Sequence, residues 1–470
     1  MDLFIELNKQ LKIPLYEQLY EGIKDAILTQ QLTKHTKIPS KRQLADFLSI
    51  SQTTVELAYN QLLAEGYIMS EPRVGFFVED IVELPYIEKK LLPSTPISFT
   101  DEPIYTYNFS PSVIDEYSFP FAIWRKYTKQ IIDEQNNFLL QTGHPQGEIV
   151  LRKEIAHYLY YSRGINCTPE QIIIGSGTEH LLPMILHLLN QQTALAVENP
   201  GYSALPIHDK RNKIIPVDVD RDGVIIKQLE QTEANTIYIT PAHQFPTGAV
   251  LSAARRAQLL KWANKAPDRY IIEDDYDSEF RYVGKPIAAL QSIDHNDKVI
   301  YLSTFTKALM PSLRVAYFVL PKSLLASYQN NLSYYSSTVP RFEQHILASF
   351  MKNGDFAKHL NKMRKIYRKK HDSLITYLQT YYPQIQIDGA AAGMHFIIRF
   401  KSSLNASELI LRARHANIYI RPVSDYMRNQ MPLKHPAFLL GFGGLKLETL
   451  ELAIDALMEA FEQKKKANDI

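Results

Sequence analysis

Lys307 closes the run Leu302-Ser303-Thr304-Phe305-Thr306-Lys307, directly after hydroxyl-bearing residues and seven residues before Arg314. An amine that must condense with an aldehyde has to be presented from a loop, and hydroxyls beside an arginine fork suit a phosphate. Thirty-three residues before Lys307, Tyr270-Ile-Ile-Glu-Asp274-Asp-Tyr276 reads as a buried strand ending in a carboxylate and a phenol. A carboxylate there can keep a pyridine nitrogen protonated so that the ring draws electrons, and a tyrosine can hydrogen-bond a phenolic ring oxygen. Together the two segments describe a site for pyridoxal 5'-phosphate held as a Schiff base on Lys307.

Such a site needs a sheet whose strand ends carry the ligand groups. From Asn108 onward, helical periodicity alternates with short apolar runs at 171–174, 193–197, 236–240, 270–272, 299–302 and 316–320. That alternation predicts a large, mostly parallel α/β sheet. The turn Gly175-Ser-Gly177-Thr178-Glu179-His180 leads from a strand into a helix and can offer backbone amides to a phosphate. Residues 328–380 are expected to be mostly helical, with the basic run 358–370 as a solvated face. Apolar runs at 394–398 and 438–442, with helices between and after, predict a small α+β subdomain. Lys464, Lys465 and Lys466 read as a solubilising tail.

With 470 residues, 45% apolar and 22% charged, the chain exceeds one ordinary core, and two or three domains are expected. A formal charge of +2 gives no bulk signal for nucleic acid. The single cysteine, Cys167, excludes a disulfide framework and a thiolate metal cluster, and no metal is expected. No apolar run approaches the ~20 residues a bilayer needs, and the N-terminus lacks a basic leader, so the chain is read as soluble, cytoplasmic and free of the membrane.

The first 80 residues have a separate logic. Apolar positions Leu15, Leu19, Ile23 and Ile27 mark a helix opening on Pro14. Ser40 caps a second helix, Ser51 a third that Gly66 closes, and a hairpin with Arg73 at its tip follows. Two short helices joined by a tight turn form a helix-turn-helix, whose second helix reads base edges of duplex DNA with its N-terminal residues, and the hairpin is a wing. Ser40, Lys41, Arg42, Ser51, Gln52, Thr53, Thr54 and Arg73 are the candidate DNA contacts. Residues 1–84 carry eight Lys/Arg against twelve Asp/Glu, so a general basic footprint is missing and the contacts must be local. The expected division is 1–80 for this head, 81–107 for a proline-spaced linker, and 108–470 for the second domain.

Ile38-Pro-Ser-Lys-Arg-Gln-Leu-Ala, Leu48-Ser-Ile-Ser-Gln-Thr-Thr-Val and Leu63-Ala-Glu-Gly-Tyr resemble the winged helix-turn-helix of the GntR family, with Gln52 where members usually carry arginine. The remaining 360 or so residues resemble fold-type I aminotransferases, and the combination resembles the MocR subfamily of GntR-type transcription regulators, especially its GabR-like branch. The resemblance implies Lys307 as the Schiff-base lysine, Asp274 on the pyridine nitrogen and Tyr276 on the phenolic oxygen. It further implies Tyr202 beside the ring, and Thr178, Ser303, Thr306 and Arg314 around the phosphate. In Thr240-Pro-Ala-His243-Gln-Phe245-Pro246, Phe245 takes the place of an aminotransferase asparagine, leaving His243 or Gln244 as the polar contact.

Two arginines that hold an effector's carboxylate in the GabR-like branch correspond here to Ala204 and Asp425, so the pocket is expected to repel that group, with Arg421 a partial substitute. The function implied is regulation of transcription by a small amine, not γ-aminobutyrate, sensed through external aldimine formation in a head-to-tail homodimer. Two alternatives stay open: a sensor of the cofactor itself controlling vitamin B6 synthesis, and an active aminotransferase with a DNA-binding head. Lys307 could still support a slow half-transamination.

Overall fold

The computed structural model describes residue 5 and residues 7–81, 104–189, 194–202, 213–282, 287–428 and 433–466. The chain divides into two compact units, Met1–Glu102 and Pro103–Ile470. Most of the expected linker lies outside the described residues.

In the first unit, α1 (Leu15–Leu28) precedes β1 (Lys37–Ile38), α2 (Lys41–Leu48), α3 (Gln52–Ala64), β2 (Ile68–Glu71) and β3 (Gly75–Val78). Pro14 sits at the cap of α1, one residue before the position expected for it. Ser40 and Gln43 form a reciprocal capping box, Gln43 N donating to Ser40 Oγ at 3.3 Å and Ser40 N to Gln43 Oε1 at 3.0 Å. Ser51 Oγ accepts from Thr54 N at 3.1 Å, and Gly66 follows α3 at φ +74°, the left-handed stop that favours glycine. The three strands form an antiparallel sheet in the order β1-β3-β2, in which β2 and β3 are the expected hairpin and β1 adds a third strand. Its core is Leu19, Ile23, Leu44, Val55, Tyr59 and Leu62.

The second unit begins with β4 (Tyr107–Asn108), α4 (Phe121–Ile131) and α5 (Ile149–Arg163), followed by β5 (Ile172–Gly175), α6 (Thr178–Leu188), β6 (Ala194–Asn199), β7 (Lys213–Asp220) and β8 (Gly223–Val224). Next come α7 (Ile226–Glu230), β9 (Thr236–Ile239), α8 (Ala253–Asn264), β10 (Tyr270–Asp275), β11 (Val299–Thr304) and β12 (Ala316–Val319). The chain ends with α9 (Leu325–Asn331), α10 (Arg341–Lys352), α11 (Asp355–Tyr381), β13 (Gln386–Asp388), β14 (His395–Arg399), α12 (Ala406–His415), β15 (Ile418–Tyr419), β16 (Arg421–Pro422), β17 (Ala437–Gly441) and α13 (Leu450–Ala460).

The large sheet has the order β5-β12-β11-β10-β9-β6-β7-β8, in which β12 and β8 run against the other six. Both faces are covered, as a parallel sheet requires. On β5, Ile172 and Ile174 point into one core with Tyr301 and Tyr317, while Ile173 points into another with Ile300 and Phe318. β13, β14, β17 and β16 build the smaller sheet, against which α11, α12 and α13 pack. Lys465 is not a free tail residue: its Nζ donates to Tyr377 Oη at 2.6 Å and to Asp455 Oδ2 at 2.7 Å, and Lys466 N donates to the Tyr381 carbonyl.

Glu148 ties α5 to α10. Its carboxylate accepts from Arg341 Nε at 2.8 Å and Nη2 at 3.0 Å, and His345 Nε2 lies 3.0 Å away. Burial raises the acid, but Arg341 and His345 outweigh it and hold Glu148 below its ordinary value. A depressed acid stabilises the fold above its unfolded pKa and loses that contribution as pH falls through the folded one. Glu148→Gln should therefore cost the second unit about 3 kcal/mol near neutrality. Urea unfolding followed by tryptophan fluorescence reads this unit, since Trp124 and Trp262 both belong to it. The gap from the parent should narrow below about pH 4, and a gap of unchanged size at pH 3 would exclude the ion pair as its cause.

Candidate cofactor pocket and DNA-reading face

Successive side chains of β10 point to opposite faces of the sheet, which separates three adjacent acids. Glu273 accepts from Leu290 N at 2.7 Å and Gln291 N at 2.8 Å, while Asp275 Oδ2 takes Arg163 Nε and the Tyr301 hydroxyl, each at 2.6 Å. Asp274, between them, faces a cavity. Its Oδ2 accepts from the Tyr238 hydroxyl, and its buried Oδ1 has no partner among the described residues. Burial pushes Asp274 up to about 7.

Lys307 lies in the loop after β11, its Nζ donating to the Pro111 carbonyl. Burial lowers the amine to about 8, with the charge of Asp277 opposing that shift. The cavity, about 420 Å³, is lined by Lys307, Asp274, Tyr276, Tyr202, Thr306 and Arg314, with Thr178 and Glu179 at its edge. Burial pushes the Tyr202 phenol up to about 12.

At one end α6 begins after Gly177, at φ +128°. A Cβ there would lie 2.5 Å from Arg314 Nη2 and 2.7 Å from Glu179 Oε2, so only glycine leaves the backbone open beside the guanidinium. Arg314 keeps Glu179 at 3.0 Å, and the Thr304 and Thr306 hydroxyls are 2.7 Å apart. A helix N-terminus, hydroxyls and a guanidinium form an anion cradle. Met394 and His395, at the start of β14 in the small sheet, line the same cavity as the amine and the cradle.

Several expected contacts fall elsewhere. Ser303 does not line the cavity: its hydroxyl donates to the Asp275 carbonyl at 2.7 Å, and Thr304, on the opposite face of β11, lines it instead. His243 is 1% exposed behind the wall, with Nδ1 2.9 Å from Asp277 Oδ2, and Gln244 bonds Glu198 and nearby carbonyls. Asp425 is exposed and does not line the cavity, whereas Tyr426 and Arg421 do. Arg421 Nε donates to Tyr419 Oη at 2.6 Å, so the charge expected to change the pocket's sign is absent from it and a cation is present. Ala204 lies outside the described residues.

Tyr238, Asp277, His395 and the segment from Ser110 to Ser112 line the cavity without having been anticipated. Tyr238 pairs in register with Ile272, next to Asp274, and could be found only by pairing β9 with β10. Pro111 comes from nearly two hundred residues upstream of Lys307 and left no local signal.

On the first unit, Arg42, Gln52 and Thr53 are exposed at the starts of α2 and α3, and Arg73 is exposed at the wing tip with φ +63°. The hydroxyls of Ser51 and Thr54 lie 2.8 Å apart, and Ser40 is occupied by its cap. Lys41 Nζ donates to Glu56 Oε1 at 2.6 Å, which takes it away from a phosphate.

Residues 15–78 match the bacterial regulatory proteins of the gntR family, and residues 114–435 match aminotransferase class I and II. The uncharacterized HTH-type transcriptional regulator YdeL of Bacillus subtilis is 40% identical over 466 residues, 98% of this chain and 100% of that protein. The HTH-type pyridoxine biosynthesis transcriptional regulator PdxR of Corynebacterium glutamicum is 30% identical, covering 89% and 90%, and the probable rhizopine catabolism regulatory protein MocR of Rhizobium meliloti is 29% identical, covering 97% and 95%. An archaeal alanine:glyoxylate aminotransferase superposes with a TM-score of 0.69 at 23% identity, over 76% of this chain and 90% of that one, which shows the fold. A gntR-type head and an aminotransferase-type unit in one chain, aligned end to end with regulators of the same build, place this protein in the MocR subfamily of GntR-type transcription regulators.

Proposed function

We propose that the second unit binds pyridoxal 5'-phosphate and senses a small amine at Lys307, and that the first unit carries the response to an operator. The supporting observation is one amine lowered to about 8 in the same cavity as a buried Asp274 oxygen that has no partner among the described residues. Near pH 7 about a tenth of such an amine is unprotonated, against roughly one in 2,500 for an ordinary lysine. When bound, the cofactor supplies an aldehyde that amines can compete for. Asp274 would satisfy its free oxygen on the pyridine N–H, while Gly177, Thr178, Thr304, Thr306 and Arg314 would hold the phosphate. Tyr202 and Tyr276 would flank the ring.

Displaced from the aldehyde, Lys307 has an acceptor waiting in the Pro111 carbonyl. Pro111 lies in the segment where the chain begins the second unit after the linker, so the state of one amine bears on that segment. Arg421, beside Tyr419, supports an effector that carries a carboxylate as well as an amine, and reverses the expectation drawn from Asp425. The role assigned is sensing rather than steady turnover, in a homodimer whose two heads read repeated half-sites. A second reading, sensing of the cofactor alone, is favoured by the 30% identity to a regulator of pyridoxine biosynthesis.

Purified protein should absorb near roughly 420 nm when loaded, and Lys307→Ala should lose the band while still binding the phosphate. A parent protein that gains no band with added cofactor sinks the reading of the site. If operator affinity changes on loading with cofactor and then not with any amine, the second reading replaces the first.

Arg421→Ala should weaken carboxylate-bearing amines by roughly ten- to a hundredfold, the worth of one charge-assisted hydrogen bond, and leave simple amines unchanged. Equal losses for both classes would remove Arg421 from effector recognition.

On DNA, Arg42→Ala should lower affinity for all sequences and reduce the salt slope by about one, Lys41→Ala should do less because Glu56 holds its amine, and Gln52→Ala should relax choice at one base position. Indistinguishable losses on specific and random duplexes for all three would contradict that division.

A further inference from the structure

Behind the pocket wall, His243 stacks on Tyr276 with 6.1 Å between ring centroids and 29° between planes. Its Nδ1 lies 2.9 Å from Asp277 Oδ2 and 3.0 Å from the Tyr276 hydroxyl. Its Nε2 is buried with no hydrogen-bond partner among the described residues. A buried N–H without an acceptor is rarer than a bare acceptor, so this network assigns the ring proton to Nδ1, facing the carboxylate. With Nδ1–H directed at Asp277, the ring offers Tyr276 no lone pair there; Asp277 is the hydroxyl's other acceptor, and the proton it takes from His243 makes it a weaker one, which frees the hydroxyl hydrogen to turn into the cavity that Tyr276 lines.

The surroundings preserve the arrangement. Gly393, at φ +76°, lies over both groups, and a Cβ on it would come within 2.1 Å of His243 Cε1 and 2.5 Å of Asp277 Oδ2. The other charged or titratable groups that act on this cluster are Asp274 and Glu198 toward Tyr276, Tyr282 and Lys307 toward Asp277, and His395 beside His243. None of them is altered by the substitutions below.

We propose that His243 and Asp277 are a positioning pair for Tyr276, aiming its hydroxyl hydrogen at the phenolic oxygen of the group bound in the pocket and thereby setting how tightly that group holds its own proton. The inference rests on reading the pocket as a pyridoxal-phosphate site. A hydrogen bond donated to the phenolic oxygen draws charge from it and weakens its hold on the neighbouring nitrogen's proton. Without His243, Asp277 loses the donor that competes with Tyr276 for it, draws the hydroxyl away from the cavity, and the proton is kept to higher pH.

The test is an absorbance titration of the loaded protein against pH. His243→Ala should raise the midpoint by about one unit, a tenfold change in proton affinity. Combining it with Asp277→Asn should bring the midpoint back toward the parent, because no carboxylate remains to capture the hydroxyl. His243→Gln, whose amide can still donate to Asp277, should stay near the parent. A purely structural role predicts instead a double variant at least as displaced as the single. An unmoved midpoint in His243→Ala, or a double variant displaced as far as the single, overturns the pair.

A second readout needs neither a variant nor the cofactor. Histidine nitrogen-15 shifts of the cofactor-free protein should show His243 protonated at Nδ1 and bare at Nε2, and the reverse tautomer overturns the pair whatever the pocket holds. The expected tautomer in a protein that takes up no cofactor would uphold the pair and overturn the reading of the pocket. A stoichiometric divalent metal in the purified protein would also overturn it, since the ligand atoms of His243, Asp277 and His395 lie within 4.8 Å of one another and would then be a cation site.

Discussion

A buried Asp274 oxygen that meets no hydrogen donor among the described residues governs how the second unit has to be built. An ionised carboxylate in a dry wall costs several kcal/mol unless both oxygens are met. Tyr238 meets one oxygen of Asp274, and the other has no partner among the described residues, which fits burial as the dominant influence on its titration. A cationic ring N–H is the strongest complement for such an oxygen. Holding the oxygen in place until that partner arrives requires a strand that cannot slip, and the neighbours of Asp274 provide it. Glu273 clamps the loop at Leu290 and Gln291, and Asp275 clamps Arg163 and Tyr301. A shift of one residue would carry Asp274 to the opposite face and bring Glu273 or Asp275 to the cavity.

The same dryness acts with opposite sign on the lysine. Desolvation disfavours charge in either group, so the acid moves up to about 7 and the amine down to about 8. Two groups that would ordinarily both be fully ionised are thereby brought toward the neutral range, where small changes in surroundings redistribute protons. A sensor needs two states that differ in contact, because a ligand shifts an equilibrium only by its differential affinity. On the reading proposed for the pocket, competition between an aldehyde and the Pro111 carbonyl for one amine would supply such a difference.

Much of this arrangement was legible from residue type and spacing because it follows from local rules. The caps at Ser40 and Ser51, the stop at Gly66 and the apolar runs of β5, β9, β10, β11 and β12 are set within a few residues of themselves. Lys307, Asp274, Tyr276, Thr306 and Arg314 come together because adjacent parallel strands end side by side. What escaped depends on parity or on distance along the chain. Ser303 and Thr304 are both hydroxyls, and only the pleat decides which one faces the cavity. β7, with its alternating and partly exposed pattern, lacks the continuous apolar run of a central strand, so it went unread. Asp425 was placed by correspondence with a position in other proteins, yet a short 3-10 turn brings Tyr426 to the cavity and leaves Asp425 outside.

The head's excess of acid is resolved by the same attention to partners. Lys24 pairs with Glu65 at 3.5 Å, Lys34 with Asp80 at 3.2 Å and Lys41 with Glu56 at 2.6 Å, so three of the basic side chains already face a carboxylate. Arg42 and Arg73 have no ion pair among the described residues, and they stand where helix-turn-helix and wing would meet a duplex. With three of the head's eight Lys/Arg held this way, counterion release would supply less of the affinity than the basic count suggests, since each phosphate contact contributes a salt slope of about −0.9. On the proposed DNA-reading face, helix amides and the exposed Gln52 and Thr53 would then carry a larger share than in a basic head. An acidic surround also repels DNA wherever the local fit is poor, so the missing basic footprint would disfavour binding at the wrong sequence.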